Sequence, residues 1–176
     1  MSDIVSGPVD GQRVPEGSLM LRYAQEPPQA SLNAESIALL QEGRCIPQFY
    51  DNRKCDKTPK GYELSVFHSG RTTQEQVVTI ATGGAVAERN QWMMVISADS
   101  IRAIESGYQH PDVSTDRLEV VWREATRPAP DGERVPDSRP GADGHSVILK
   151  TEGSSKQQAR DIRQKLAEAS TAQRHV

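Results

Sequence analysis

The chain has 176 residues, of which 35% are hydrophobic and 5% aromatic, so its length favours one domain over two. Its 24 acidic and 21 basic residues give a net charge of −3. The sequence has no basic stripe with interleaved aromatics, which argues against a nucleic-acid partner. It also has no run near the ~18 apolar residues of a membrane span.

The first 25 residues predict an arm followed by a strand. Residues 1–17 are rich in glycine and proline and show no periodicity, which predicts a flexible N-terminal arm. Their start has no basic segment followed by an apolar core. We therefore expect a cytoplasmic protein without a membrane partner, or one exported without a conventional signal peptide. Residues 18–24 (SLMLRYA) predict the first strand.

The next elements are predicted by capping residues and by alternation. Asn33 is a typical N-cap and Gly43 suits the position after a helix, which predicts a short helix between them. Residues 62–69 alternate between two faces and predict a strand with His68 on one face. The S/T-x-x-E pattern of Thr72 and Glu75 then predicts a helix that begins near residue 73.

The middle of the chain predicts two more strands with a short helix between them. Residues 91–97 (QWMMVIS) form a continuous apolar run of the length of a buried strand. Ser97 or Asp99 is suited to cap the helix that follows. Residues 117–125 (RLEVVWREA) alternate again and predict the next strand.

The last third of the chain is divided by residues 126–144, which contain four prolines and three glycines and predict a flexible insertion. A strand from residue 145 and a capped amphipathic helix over 155–170 follow. The element order predicts one α+β domain over 18–170, in which helices flank a mixed or antiparallel sheet of about five strands. Residues 171–176 are expected to form a tail.

Four polar residues lie at positions where chemistry is possible. Arg22 interrupts the first predicted strand, where a guanidinium needs solvent or an anionic partner. Ser65 is a candidate nucleophile that requires a base supplied by the fold. His68 ends one strand and His145 begins another, so the two histidines are candidates for an acid–base pair at one rim of the sheet.

Motifs for phosphate loops, metalloproteases, serine hydrolases and calcium loops are absent from the sequence. Cys45 and Cys55 lie ten residues apart. A metal site would require two further ligands close to them, so we expect no metal. We interpret both cysteines as free thiols, as is usual in a reducing compartment, and the alternative is a disulfide that closes this short loop.

Short segments of the chain resemble a group of small bacterial proteins that carry L-x-R, L-S-V, W-x-V and H-A-x-I motifs. The matching segments are residues 21–23, 64–66, 92–97, 102–104 and 145–148. The chain departs from this pattern by its proline-rich insertion and by Ser146, where alanine is usual. The resemblance implies no activity, because none is assigned to that group.

The leading functional hypothesis is a bacterial protein-binding or regulatory module from a toxin, effector or phage-related system. It follows from the missing catalytic motifs and from the arm and insertion, which suit ordering on contact with a protein partner. This hypothesis requires no cofactor, and the sequence indicates no oligomeric state.

Two enzymes are the alternatives. The first uses NAD and is similar to ADP-ribosyltransferase-like toxins, which have an arginine on the first core strand and a serine on a later one, as Arg22 and Ser65 are placed here. The downstream glutamate motif of those toxins is not evident in this sequence. The second and weaker alternative is a nuclease or phosphodiesterase that uses His68 and His145.

Overall fold

The computed structural model describes residues 8–175. Its strands are β1 (Leu19–Gln25), β2 (Lys57–Thr58), β3 (Gly61–His68), β4 (Gln91–Ser97), β5 (Glu119–Trp122), β6 (Thr126–Pro128), β7 (Arg134–Pro136), β8 (His145–Leu149) and β9 (Thr171–His175). Its α-helices are α1 (Ala34–Gln41), α2 (Gln74–Thr82), α3 (Ala98–Arg102) and α4 (Lys156–Ala169). None of the helices in this range is long and apolar enough to cross a membrane.

Seven strands form one sheet in the order β5-β8-β3-β1-β4-β9, with β2 paired to β3. Every pairing in this sheet is antiparallel. Strands β6 and β7 form a separate hairpin. The α+β class is therefore confirmed, with an antiparallel sheet of seven strands in place of about five.

The sheet opens between β1 and β3. These strands pair at two positions, Met20 with His68 and Leu21 with Phe67, whereas β1 pairs with β4 along its whole length. Strands β1 and β3 therefore diverge immediately after Leu21. Arg22 is the first residue of β1 beyond this point, which brings its side chain to the gap.

Each face of the sheet buries an apolar cluster, as the alternation within the strands predicts. The larger cluster includes Leu64, Val66 and Ile148 from the sheet, together with Ile162 and Leu166 from α4. A fully buried aliphatic side chain of this kind contributes about 1.5–3 kcal/mol of hydrophobic stabilisation. Helix α4 therefore packs against this face of the sheet and covers its apolar side chains.

On the opposite face, a smaller cluster joins the sheet to α2. It is built from Leu21, Phe67 and Met93 of the strands and from Val77 of the helix. On this face, Phe67 pairs with Leu21 at the last position before β1 and β3 diverge.

Side-chain caps set the first residues of three helices. Asn33, Ser97 and Ser155 each accept a hydrogen bond from the backbone N–H three residues later, before α1, α3 and α4 respectively. The caps at Asn33 and Ser155 are confirmed, and Ser97 rather than Asp99 is the residue that caps α3. Such caps typically contribute about 1 kcal/mol each.

Helix α2 begins one residue later than the Thr72–Glu75 pattern predicts. Its capping box is formed by Thr73 and Gln76, each of which accepts a hydrogen bond from the other's backbone N–H. The Thr72 hydroxyl donates instead to the carbonyl of Gly141, at 2.7 Å. A tertiary contact thus decides between two overlapping capping patterns.

The ends of the chain contribute more to the sheet than the sequence indicates. Val14, from the segment predicted as an arm, is buried, and its backbone N–H donates to the carbonyl of Val120. Residues 1–7 of that segment lie outside the described part. Residues 171–175, predicted as a tail, form β9 and pair with β4. Backbone pairing holds β9, and its mostly exposed side chains give no apolar pattern to read.

The proline-rich insertion contains regular structure of its own. Within residues 126–144, strands β6 and β7 pair from Thr126 with Pro136 to Pro128 with Arg134. The turn between them includes Gly132, with φ of +85°. Prolines are tolerated here because the hairpin is separate from the main sheet and consists of edge strands. Residues 126–136 of the insertion thus form a mostly exposed hairpin, whereas Ala142 and Gly144 near its end are buried.

We expect Gly144→Ala to lower the free energy of unfolding by about 3 kcal/mol, the upper end of the usual cost of overpacking. A Cβ at this position would overlap the hydroxyl of Thr72, which is already bound to Gly141, and would press on the carbonyl of His68. Urea denaturation measures the change. The control is Gly132→Ala, where a Cβ meets no atom and only the left-handed backbone costs about 1 kcal/mol. Equal losses in both variants would contradict the prediction.

Candidate functional site

A cleft of about 590 Å³ lies over β3 and β8, within the size range of small-molecule sites. Ser65, Phe67, His145 and Val147 line it from these two strands. The rest of the lining comes from β1, from β2 and the segment before it, from α2, from the residues that follow β5, and from the β6–β7 hairpin with the residues after it. This part of the lining is rich in charge. The charged lining residues are Arg22, Arg53, Asp56, Glu63, Arg123, Glu124, Arg134, Asp137 and Arg139.

Arg22 is buried on a central strand, so solvent does not satisfy its guanidinium. The anionic partner that the sequence offers as the other possibility is also not present among residues 8–175. Its Nε donates to the carbonyl of Phe49 at 2.8 Å, and its Nη1 donates to the carbonyl of Ser65 at 2.7 Å. The guanidinium carbon lies 5.5 Å from the centre of the Tyr50 ring. Two backbone carbonyls and an aromatic face therefore hold the cation.

The divergence of β1 and β3 explains this arrangement. Ser65 lies two residues before Phe67, the residue at which the pairing of β3 with β1 stops. Strand β1 therefore provides no backbone donor for the Ser65 carbonyl. A buried carbonyl without a donor costs about 1–3 kcal/mol, and the Arg22 side chain supplies that donor. The arginine thus completes the backbone hydrogen bonding at the point where the sheet opens.

One donor group of Arg22 stays available to a ligand. No hydrogen-bond partner for Nη2, and no carboxylate within 4 Å of the guanidinium, occurs among residues 8–175. Burial lowers the pKa of Arg22, but an arginine keeps its charge at any physiological pH. The cleft therefore contains a buried cation that no carboxylate neutralises.

Ser65 and His145 form a hydrogen-bonded pair in the same cleft. The Ser65 Oγ lies 3.1 Å from Nε2 of His145, and Nδ1 of His145 lies 2.9 Å from the carbonyl oxygen of Arg123. Because a carbonyl only accepts, Nδ1 carries the proton and the Nε2 lone pair is left to accept from the serine hydroxyl. Burial lowers the pKa of His145, which keeps the ring neutral.

Arg123, whose carbonyl orients His145, is itself fixed by an ion pair. Its Nε and Nη2 donate to the two carboxylate oxygens of Glu63 at 3.1 and 3.0 Å. Its Nη1 donates to Asp10 at 3.2 Å. Sequence reasoning missed this support, although the alternation of β3 already puts Glu63 and Ser65 on one face.

His68 lies on the other face of the sheet. Its ring is 5.1 Å from the ring of Trp122, and its Nε2 is 3.0 Å from the hydroxyl of Ser18. His145 instead pairs with Phe67, the residue before His68. Because side chains alternate along a strand, Phe67 and His145 point to the face opposite that of His68. The structure thus brings Arg22, Ser65 and His145 together and leaves His68 outside the cleft.

The remaining arginines of the cleft differ in how far they are neutralised. Arg139 donates to both carboxylate oxygens of Asp137, and Arg134 donates to Thr126. The guanidinium of Arg53 has no partner among residues 8–175 and is exposed. With five arginines against four carboxylates in its lining, the cleft favours an anionic ligand.

Both cysteines are free thiols; Cys45 is buried and Cys55 is exposed at the cleft. No group of three or more histidine, cysteine, aspartate or glutamate side chains placed to hold a metal ion occurs in the described range.

Comparison with known proteins gives no match: no family model, no curated protein and no solved structure matches the chain. The resemblance to the small bacterial group therefore stays a prediction, and the interpretation of the site depends on its geometry.

Proposed function

We propose that the protein is an NAD-utilising enzyme of the ADP-ribosyltransferase-like kind. The observation that carries this proposal is the meeting of Arg22, Ser65 and His145 in one cleft, from three neighbouring strands of the sheet. An arginine on the first core strand and a serine on a later one are the two features that this chain shares with those toxins.

Arg22 is suited to bind the diphosphate of NAD. A guanidinium has five N–H donors in a planar fork that matches phosphate oxygens, and Nη2 of Arg22 is free for this contact. Its attraction for an anion is strengthened by burial, because the local dielectric is low. Arg53, at the exposed rim of the cleft, is placed to bind the second phosphate.

Cleavage of NAD between nicotinamide and ribose develops positive charge on the ribose. A carboxylate near that carbon stabilises the charge, and two glutamates line the cleft. Glu63 is bound by Arg123, whereas the carboxylate of Glu124 has no partner among residues 8–175. We therefore assign to Glu124 the role of the downstream glutamate of those toxins, whose motif is not evident in this sequence.

The other two hypotheses have less support. A protein-binding surface usually has an extended exposed apolar patch, but the large apolar side chains exposed in the described range are Val9, Leu19 and Val86 alone. The module that binds a protein partner stays a prediction. A nuclease or phosphodiesterase would need His68 and His145 in one cleft, and the two histidines face opposite sides of the sheet.

We expect the wild-type protein to release nicotinamide from NAD, as measured by chromatography of the reaction mixture. Arg22→Lys should lower the rate about 100-fold, because a displaced phosphate moves the reacting bond out of line. The control is Arg160→Ala, which removes an exposed arginine of α4 and should keep the wild-type rate.

Circular dichroism must show that the Arg22→Lys variant is folded at the assay temperature. No nicotinamide from the wild type, over hours at millimolar NAD, would refute the proposed function. An unchanged rate in Arg22→Lys would refute the role of Arg22.

A further inference from the structure

We infer that Ser65 is a nucleophile that accepts the ADP-ribosyl group of NAD onto its own side chain, with His145 as the general base. This inference depends on the proposed function. It adds the identity of the acceptor, which is a residue of the protein itself.

The geometry meets the requirements of an activated nucleophile. Such a site has a hydroxyl within hydrogen-bond reach of a base, and a third group that orients the base. Here the Ser65 Oγ lies 3.1 Å from Nε2 of His145, and the Arg123 carbonyl lies 2.9 Å from Nδ1. The orientation of the imidazole makes Ser65 the donor in the first contact.

The pair is held by rigid elements. Ser65 and His145 belong to β3 and β8, which pair from Glu63 with Leu149 to Phe67 with His145. The Phe67 ring packs against the imidazole, with 5.3 Å between their centres. A nucleophile and base on paired strands keep their distance better than side chains on loops.

Ser65 lies beside the group that we assign to the diphosphate, and both line the cleft. Arg22, which we assign to the diphosphate, donates a hydrogen bond to the Ser65 carbonyl. The phosphate-binding group and the nucleophile therefore meet at one residue. Cys55 is a second nucleophilic side chain in the cleft. Its polar contact in the described range is with Asp56, and no histidine base lies beside it as His145 lies beside Ser65.

The step is balanced without any further reactant. The Ser65 oxygen forms a bond to the ribose carbon that carries nicotinamide. The bond from that carbon to the ring nitrogen breaks, and its electron pair stays with nicotinamide, which leaves as a neutral molecule. The hydroxyl proton passes to Nε2 of His145. Nothing is oxidised or reduced.

The test is the mass of the intact protein after incubation with NAD and acid quenching, with nicotinamide measured in the same samples. We expect a gain of one ADP-ribosyl group, mapped to Ser65 by peptide sequencing, with a burst of nicotinamide close to one per chain. Ser65→Ala should lose the adduct and the burst. The matched control, Ser69→Ala, removes an exposed serine outside the cleft and should keep both.

The possible failures are distinguishable. Release of nicotinamide without an adduct, or with an adduct on another residue, would overturn the inference and leave the proposed function standing. Release at the wild-type rate by a folded Ser65→Ala protein, without a change in the burst, would also overturn it. Absence of both nicotinamide and adduct would overturn the inference together with the proposed function.

Discussion

Replacement of Arg22 by alanine is expected to lower the free energy of unfolding by about 3 kcal/mol. The change leaves the carbonyls of Phe49 and Ser65 without their donor, and each buried carbonyl so deprived costs about 1–3 kcal/mol. The lost contact with the Tyr50 ring adds to this cost, while removal of a buried cation offsets part of it. Because whole domains are stable by only about 5–15 kcal/mol, the loss is large.

One further variant separates charge from hydrogen bonding, and a second serves as the control. Arg22→Lys keeps the cation but lacks the planar fork that serves two carbonyls at once, so it should lose about half as much stability. Arg160→Ala, on the exposed side of α4, should stay within about 0.5 kcal/mol of the wild type. Urea denaturation, followed by the fluorescence of the two tryptophans, gives all three values. An Arg22→Ala protein as stable as Arg160→Ala would show that the carbonyl contacts contribute nothing.

The sequence predicted most of the elements because local rules set them. Alternation and apolar runs located β1, β3 and β4, and side-chain caps located α1 and α4. Local rules failed where tertiary contacts decide. The hydroxyl of Thr72 binds Gly141 instead of capping α2, and β9 is held by backbone pairing that leaves no apolar pattern.

The sequence also named Arg22, Ser65 and His145 but not their relationship. Ser65 and His145 are 80 residues apart in the chain, and only the pairing of β3 with β8 brings them together. The partners of Arg22 depend on where β1 and β3 diverge, and strand propensity does not encode that point. His68 and His145 both lie at strand termini, which is why the sequence predicts them as a pair. The alternation of β3 nevertheless turns His68 away from the face on which Phe67 and His145 lie.

The rate of nicotinamide release should be independent of pH above about pH 6.5 and should decrease only below it. His145 must be neutral to accept a proton, and an ordinary histidine has a pKa of about 6.5. Burial, the largest effect, lowers the pKa of His145, and the charge of Arg123 lowers it further. The hydrogen bond to the Arg123 carbonyl and the charges of Glu63 and Asp137 oppose this decrease without reversing it.

Removal of the base should have the largest effect on the reaction. We expect His145→Gln to lower the rate by about 10²–10⁴-fold, the usual contribution of general base catalysis, and to abolish the decrease at low pH. His68→Gln changes a histidine outside the cleft and should keep both the rate and the pH profile. Initial rates from about pH 5 to pH 9 test this, and a low-pH decrease that persists in His145→Gln would assign the titration to another group.

Folding stability should show the same titration with a sign that can be checked separately. Because the pKa of His145 is lower in the folded than in the unfolded chain, the unfolded chain binds its proton first as the pH falls. The stability linked to the neutral ring is thus complete above about pH 6.5, the unfolded value, and is lost progressively below it. His68 has a lowered pKa as well, so His145→Gln should reduce the loss at low pH without removing it. Urea denaturation at several pH values measures both contributions, and equal pH dependence in wild type and His145→Gln would contradict the assignment.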